Sequence, residues 1–210
     1  MVDAKKMLAL DHIAVRADSL QAGREAVEAA LGVTLQPGGR HARFGTHNLL
    51  LGLDDGLYLE VIAIDPDAAA PDGARWFDLD CFAGCPRPGP WVCRCGDLDT
   101  ALAQFPQVGR AVALSRSDLR WRMAVPENGA LPFDNLFPAL IQWQGGRHPA
   151  ARLAPSGLRL ARMTLSHPRA GDLAALLSPV LDDSRLAFVS GAPGLGLEFD
   201  APGGGRRVLA

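Results

Sequence analysis

The sequence lacks three features that would assign it to a specialised class of protein. It has no basic run longer than Arg206 and Arg207, and 21 Lys and Arg against 23 Asp and Glu give a formal net charge of -2. It has no apolar stretch near the roughly 20 residues of a membrane-spanning helix, and its N-terminal residues lack the apolar core of a signal peptide. We therefore expect a cytoplasmic protein that binds neither nucleic acid nor a membrane.

Cysteine is also scarce, and it is confined to one short region. The four cysteines are Cys81, Cys85, Cys93 and Cys95, a poor distribution for a disulfide framework across the whole chain. Zinc is an alternative, but these spacings differ from the CxxC pairs of structural zinc sites. We expect reduced thiols, with Cys93 and Cys95 as small buried side chains on one face of a strand.

The chain instead has a globular composition and a repeated order of predicted elements. Of its 210 residues, 48% are apolar. Residues 8–17 alternate like a strand, a helix capped by Ser19 and Gly32 follows, and further strands end near residue 65. The same order restarts at Trp91 and again, in a shorter form, near residue 158. We predict a first βαβββ module over residues 1–65, a connector over 66–90, a second module over 91–150 and a partial third βαβββ unit over 151–210.

Paired βαβββ modules predict an α+β fold in which curved mixed sheets enclose a cleft. A helix covers the outer face of each sheet, so the inner faces of two modules close against each other. In the first strand, alternation assigns Ile13 and Val15 to the helix side, and His12 and Arg16 to the cleft. Polar side chains on the inner face of an otherwise apolar strand indicate a site.

Three side chains of the first module are candidate metal ligands: His12, His47 and Glu60. A carboxylate within an apolar strand such as that of Glu60 must be paired, protonated or bound to a metal ion. Two imidazoles and a carboxylate suit a divalent first-row metal that acts as a Lewis acid on a substrate oxygen. The alternative is that the histidines are structural and that Glu60 pairs with Arg16 or Arg43.

The other histidines are predicted to have different roles. His41 follows two glycines and an arginine, a loop sequence in which we expect a solvated side chain. His148 and His167 each precede a proline, which favours extended backbone at the end of an element. We interpret both as structural or exposed, although either could reach the cleft.

Several segments together resemble the glyoxalase-like domain proteins of the vicinal oxygen chelate superfamily, which includes glyoxalases, bleomycin resistance proteins and dioxygenases. They are Asp11-His12, residues 38–41, residues 45–48, residues 58–60, and residues 141–143 with 148–150, so the resemblance covers about residues 8–150. It implies paired βαβββ modules and, in better-known relatives, a divalent metal held at positions matching His12 and Glu60. The second module departs from this pattern, because Trp91 and Gln142 stand near the positions of its expected ligands.

The first functional hypothesis is an enzyme, a metal-dependent lyase, isomerase or dioxygenase. A divalent metal (Zn, Fe, Mn or Ni) bound by His12, His47 and Glu60 would chelate a small substrate through its oxygens, with Glu60 as the catalytic residue. Substrate-orienting side chains are Arg16, Arg43 and Asn48.

The second hypothesis is a non-catalytic protein that binds or sequesters a small molecule in the same cleft without metal. Trp91, Trp143 and Tyr58 would supply apolar contact, and the hydrogen bonds would come from His12, His47, Glu60 and Gln142. Either hypothesis has a small-molecule ligand as its partner. The strands of the third unit also need a sheet partner, within the chain or across a twofold axis, and we favour a homodimer.

Overall fold

The computed structural model describes residues 6–146 and 148–210. The first module has the predicted order of a strand, a helix and three strands. Its elements are β1 (Leu8–Arg16), α1 (Leu20–Leu31), β2 (Gln36–His41), β3 (Thr46–Gly52) and β4 (Tyr58–Ile64). A connector with one 3-10 turn, Trp76–Asp78, leads to the second module.

The second module repeats this order, and a third unit follows it. The second comprises β5 (Arg87–Cys95), α2 (Leu98–Gln104), β6 (Arg110–Arg116), β7 (Leu119–Val125), the single turn α3 (Pro132–Asn135) and β8 (Ala139–Gln144). The third comprises β9 (Arg159–Ser166), α4 (Ala170–Leu177), β10 (Leu186–Val189), β11 (Gly194–Asp200) and β12 (Arg206–Leu209). Short 3-10 turns follow α2 and β8, at Pro106–Val108 and Pro149–Arg152.

The first two modules share one mixed sheet with the order β2-β3-β4-β1-β5-β8-β7-β6. The central strands β1 and β5 are antiparallel, while β1 pairs parallel with β4 and β5 pairs parallel with β8. The two halves are therefore arranged alike around the centre. The sheet curves until its edge strands β2 and β6 approach each other, and a Cβ on Gly39 would lie 2.7 Å from Cδ of Arg116. The predicted α+β fold of paired βαβββ modules is confirmed.

The third unit forms a separate four-stranded sheet with the order β10-β9-β11-β12. Its strands pair with one another, and the sheet packs on the rest of the chain where β12 contacts α1 and β11 contacts β5. Of the two sources of a sheet partner that the sequence left open, the structure shows the one within the chain. A homodimer stays a prediction.

The position of α1 depends on its caps and on one glycine. The Ser19 hydroxyl accepts a hydrogen bond from the Ala22 amide, and Gly32 ends the helix with φ 68°, as the sequence predicts. Gly23 faces the sheet, where an added Cβ would lie 2.3 Å from Cγ1 of Val61. The helix therefore packs closely on β4, which carries Glu60.

Two strand boundaries differ from the expectation. Pro88 and Pro90 lie inside β5 rather than in the connector. Beside them β5 pairs with β1 on one side, but β8 begins to pair with β5 only at Val92, so prolines without an N–H are tolerated there. Likewise, β2 includes the predicted loop at Gly38 because the missing side chain leaves room for Asn48, whose Oδ1 would lie 2.0 Å from a Cβ.

Two further observations concern the cysteines and the helices. All four cysteines are free; Cys93 and Cys95 are buried in β5, and Cys81 and Cys85 are exposed. Within the described residues, no group of three or more His, Cys, Asp or Glu side chains is arranged to hold a metal ion. The zinc alternative for the thiols therefore has no ligand set. In the same ranges, no helix is long and apolar enough to cross a membrane.

Candidate functional site

A cavity with an empty volume of about 400 Å³, its mouth included, lies on the inner face of the eight-stranded sheet. We call it the inner cavity. Its polar wall is formed by His12, His41, Asn48, Tyr58, Glu60 and Arg116, and its apolar wall by Leu50, Trp76, Phe77, Trp121, Met123, Ile141, Trp143 and Pro149. Apart from Arg116, the polar wall comes from the first module, whereas five of the eight residues of the apolar wall come from the second module.

A β-bulge brings Asp11 beside His12. Between the pairs Leu10–Cys93 and His12–Val92, β1 advances two residues while β5 advances one, so Asp11 is the extra residue. Such a bulge re-aims side chains, and Oδ1 of Asp11 lies 2.7 Å from Nδ1 of His12. Simple alternation would have placed these two side chains on opposite faces.

Asp11 joins the two modules although it is completely buried. Its Oδ2 accepts hydrogen bonds from the Trp143 indole at 3.0 Å and from Nε2 of His148 at 2.9 Å. The carboxylate thus has three donors, which compensate for its burial. It also fixes the indole that forms part of the apolar wall. His148 is the histidine that reaches the site, an alternative that the sequence left open.

Glu60 lies at the centre of the polar wall and is 6% exposed. Its Oε1 accepts a hydrogen bond from the Asn48 amide at 2.5 Å. Its Oε2 lies 3.6 Å from Nε2 of His12, an ion-pair distance. Because Asp11 engages the other ring nitrogen, His12 stands between two carboxylates, and it stacks on Tyr58 with the ring centres 4.4 Å apart.

His41 and Arg116 close the site from the two edges of the sheet. Arg116 donates to Nε2 of His41 at 3.2 Å and to Oδ1 of Asn48 at 3.3 Å. Nδ1 of His41 lies 3.0 Å from the Thr46 hydroxyl, which also accepts from the Trp76 indole. A neutral His41 with its proton on Nδ1 satisfies this network. The bonds of Arg116 join the edges of the two modules across the cavity.

These contacts separate the charges of the buried groups. Burial disfavours a charged His12, but its bond to Asp11 and the nearby Glu60 carboxylate outweigh that and raise its pKa to about 9. Burial opposes the ionisation of Glu60, yet His12 and Asn48 lower its pKa to about 2. Burial lowers the pKa of His41 to about 4. The charge of Glu60 raises this pKa, whereas the charge of Arg116 lowers it further. Near neutral pH, the cavity therefore holds a cationic His12, an anionic Glu60 and a neutral His41.

The structure brings together five of the predicted site residues: His12, Asn48, Tyr58, Glu60 and Trp143 line the inner cavity. It does not bring His47 to them. Asn48 and Leu50 on β3 line the cavity. His47 precedes Asn48 in the same strand and therefore has the opposite orientation, with its Nδ1 3.9 Å from Asp65. The predicted ligand set of His12, His47 and Glu60 does not converge, because side chains alternate along β3.

Four other predicted site residues lie outside the lining of the inner cavity. Trp91 is fully buried opposite Ile13 and donates to the Leu136 carbonyl. Gln142 points away between the lining residues Ile141 and Trp143, and it donates to the Gly96 carbonyl. Arg43 lines adjoining surface pockets, and Arg16 lines a separate cavity.

Sequence reasoning missed His41, Arg116 and Trp121 as lining residues. His41 was expected to be solvated, yet it is buried at the end of β2 because Gly38 and Gly39 let that strand run against Asn48 and Arg116. The pattern of two glycines, a basic residue and histidine was a signal for this close approach. Nothing local marks Arg116, since its partners lie far away in the chain.

Only two side chains of the inner cavity are placed as metal ligands. His12 and Glu60 are suitably close, but His41 is 4.0 Å from Glu60 and its available nitrogen accepts from Arg116. A guanidinium in that place opposes a divalent cation. On the apolar wall, the Trp143 indole N–H is bonded to Asp11. The residues present therefore do not supply the three protein ligands that catalytic zinc sites use.

Two βαβββ modules that share one sheet and one inner cavity define a class of fold, and the comparisons with known proteins agree with it. The sequence matches the family described as the glyoxalase-like domain over residues 10–181. The chain belongs to this family, and the resemblance seen in the sequence is confirmed.

Solved structures align with this chain at low sequence identity. A hypothetical protein from Staphylococcus aureus aligns with a TM-score of 0.59 and 14% identity, over 93% of this chain and 82% of that chain. A methylmalonyl-CoA epimerase from Mycobacterium tuberculosis aligns with a TM-score of 0.44 and 18% identity, over 70% of this chain and 94% of its own. No curated protein gives a significant match. These likenesses concern the fold alone.

Proposed function

We propose that this chain binds a small organic molecule in the inner cavity without a resident metal ion. The observation that carries the proposal is the division of the cavity into two unlike walls. Buried charged and polar groups lie on one wall, and tryptophan, methionine and isoleucine side chains lie on the other. A concave site with a few placed polar groups and a largely apolar lining is typical of small-molecule recognition.

The polar wall defines the chemistry of this ligand. His12 and Arg116 carry N–H groups beside the anionic Glu60, so a carbonyl or carboxylate oxygen of the ligand is accommodated next to a hydroxyl group. The hydroxyl would donate a hydrogen bond to Glu60. An apolar or aromatic body fits against Trp121 and Trp143. We therefore expect a hydroxy acid or a related molecule with neighbouring oxygens.

Tryptophan fluorescence tests the proposal, because Trp76, Trp121 and Trp143 line the cavity. Salicylate is the probe, since it has a carboxylate and an adjacent hydroxyl on an aromatic ring. We expect saturable quenching that weakens at least about tenfold in Arg116→Met, the loss of one charge-assisted hydrogen bond. Arg120→Met, at an exposed position of β7, is the matched control and should bind like the wild type. Absence of saturation, or equal weakening in both variants, would refute the proposal.

The metal-dependent enzyme expected from the family resemblance is the second candidate. One observation favours it: Asp11 binds Nδ1 of His12 and leaves Nε2 facing Glu60, the orientation that carboxylates impose on metal-binding histidines. A divalent ion there would act as a Lewis acid, and the chain would hold it through His12 and Glu60.

Elemental analysis of protein purified without chelators separates the two candidates. The first proposal expects far less than one metal ion per chain in both the wild type and His12→Ala. One ion per chain in the wild type that is lost in His12→Ala would establish the second candidate instead. His47→Ala is the control, because that imidazole lies outside the cavity lining.

A further inference from the structure

Two arginines stand directly opposite each other where β1 and β5 pair. Arg16 and Arg87 are cross-strand partners in this antiparallel ladder. Like charges in directly opposed positions destabilise a sheet. Both guanidinium groups lie over the ring of Phe82, 5.1 Å and 4.4 Å from its centre. The fold therefore concentrates positive charge at one point, away from the inner cavity.

The counter-charge near these arginines is incomplete. Nη1 of Arg16 donates to the Phe77 carbonyl and lies 3.9 Å from Asp78, whereas its buried Nε has no hydrogen-bond partner within the described part of the chain. Arg87 donates to the carbonyls of Ala83 and Cys85. A buried donor without a partner is costly, and a buried cation more so. Burial, and then the charge of Arg87, lower the pKa of Arg16, in agreement with this geometry.

Both arginines line a second cavity, which we call the inter-sheet cavity, between the eight-stranded sheet and the sheet of the third unit. Its empty volume, with the opening to solvent included, is about 840 Å³. Across from the arginines it is lined by Thr164 and Ser166 of β9 and by glycines of β11. The lining also includes Asp134, whose carboxylate lies 3.0 Å from Nε2 of His167, and Ala210, the last residue of the sequence.

Strained backbone surrounds the same arginines. Phe77 and Asp78 have φ values of 61° and 54°, and residues 133–135 have φ values of 56°, 52° and 68°. Such left-handed conformations cost about 1 kcal/mol or more for each residue that is not glycine, and they cluster at functional sites. The two segments are joined, since the Asn135 amide donates to Asp78 at 3.2 Å. One holds the contacts of Arg16, and the other lines the inter-sheet cavity.

We infer that the inter-sheet cavity is a second binding site, which takes a small anion through Arg16 and Arg87. A carboxylate or phosphate group between the two guanidinium groups would offset their repulsion. The hydroxyls of Thr164 and Ser166 are placed on the opposite side of the cavity. This site is independent of the proposed function of the inner cavity, with which it shares no lining residue.

Calorimetric titration of the full chain with inorganic phosphate and, separately, with succinate tests the inference. We expect saturable binding of at least one of them, at least about tenfold weaker in Arg87→Met, which removes one charged donor from an exposed position. Arg16→Met should give the same loss, and Arg87→Met keeps the test valid if the buried substitution fails to fold. Binding of phosphate alone would show that the site takes phosphate groups. Binding of succinate would show that it takes carboxylates.

An exposed control locates the binding. Arg24→Met changes an exposed arginine of α1 and should bind the anion within about twofold of the wild type. The inference is overturned if neither anion binds saturably. It is equally overturned if Arg24→Met loses the binding and Arg87→Met keeps it. Either result leaves the salicylate experiment, and so the proposed function, to be judged separately.

Discussion

The charge of His12 depends on its neighbours. His12 lies between Asp11 and Glu60, stacks on Tyr58, and has a pKa raised from 6.5 to about 9. A group whose pKa is raised on folding contributes stability to the native state. This contribution is fully present below the pKa of the unfolded state and is lost as the pH rises through the pKa of the folded state. We therefore predict that the free energy of unfolding falls between pH 6.5 and about 9, by no more than about 3 kcal/mol.

Urea unfolding at a series of pH values measures this dependence. The His12→Gln variant should lose the decline, because it has no titrating ring at position 12. The control is His47→Gln, which changes an imidazole outside the inner cavity and should keep the decline of the wild type. Parallel curves for the wild type and His12→Gln would show that His12 is not held charged by its neighbours.

Asn48 is the donor that keeps Glu60 satisfied. In Asn48→Asp, a second carboxyl group would face Oε1 of Glu60, and the bond at 2.5 Å would be replaced by repulsion or by a shared proton. We predict a loss of about 2 kcal/mol in the free energy of unfolding at neutral pH. Asn128→Asp is the matched control, since that exposed side chain acts as an acceptor for the Ala130 amide. Equal losses in the two variants would contradict the prediction.

At the residue scale, sequence reasoning succeeded where a side chain follows regular alternation. His12 and Glu60 reach one cavity because each lies on the inner face of its strand. Asp11 could not be assigned in the same way, since the bulge that turns it toward His12 depends on the pairing with β5. Gln142 was predicted to contact the ligand, but the neighbouring residue Ile141 is the one that lines the cavity.

At the scale of elements, the contact between α1 and β4 depends on a missing side chain. Gly23→Ala would place a Cβ 2.3 Å from Cγ1 of Val61 and 2.9 Å from the Ala17 Cβ. The helix would have to shift, so we predict a loss of about 1–3 kcal/mol in the free energy of unfolding, the usual cost of overpacking.

Gly171 in α4 provides the matched control for Gly23. An added Cβ there meets no atom within 4 Å, so Gly171→Ala should gain up to about 1 kcal/mol from reduced backbone entropy in the unfolded state. Denaturant unfolding of both variants measures the difference. A gain in both would show that the helix and the sheet adjust without cost.

The helices and the order of the strands were predictable because their signals are local. Ser19 and Gly32 mark the ends of α1, and the same succession of elements occurs three times along the chain. The boundaries of β2 and β5 were not predictable in this way. The glycines and prolines in them usually interrupt strands, and here they are tolerated through close approach and through an unpaired edge, which only the assembled sheet defines.

At the scale of the whole molecule, the site is shared between modules. The first module provides the charged pair of His12 and Glu60, and the second provides Arg116 and most of the apolar wall. The sequence indicated that the second module lacks the ligands of metal-dependent relatives, and the structure shows tryptophan, methionine and isoleucine lining that side. It could not indicate that curvature of the sheet brings β6 to β2, because that contact joins residues 75 positions apart.

In the proposed function, the inner cavity holds its ligand without a metal ion. The most direct measurement is salicylate binding, followed by tryptophan fluorescence, before and after exhaustive dialysis against EDTA. We predict the same dissociation constant in both preparations. Salicylate binding that disappears after dialysis and returns when zinc or manganese is added would contradict the claim.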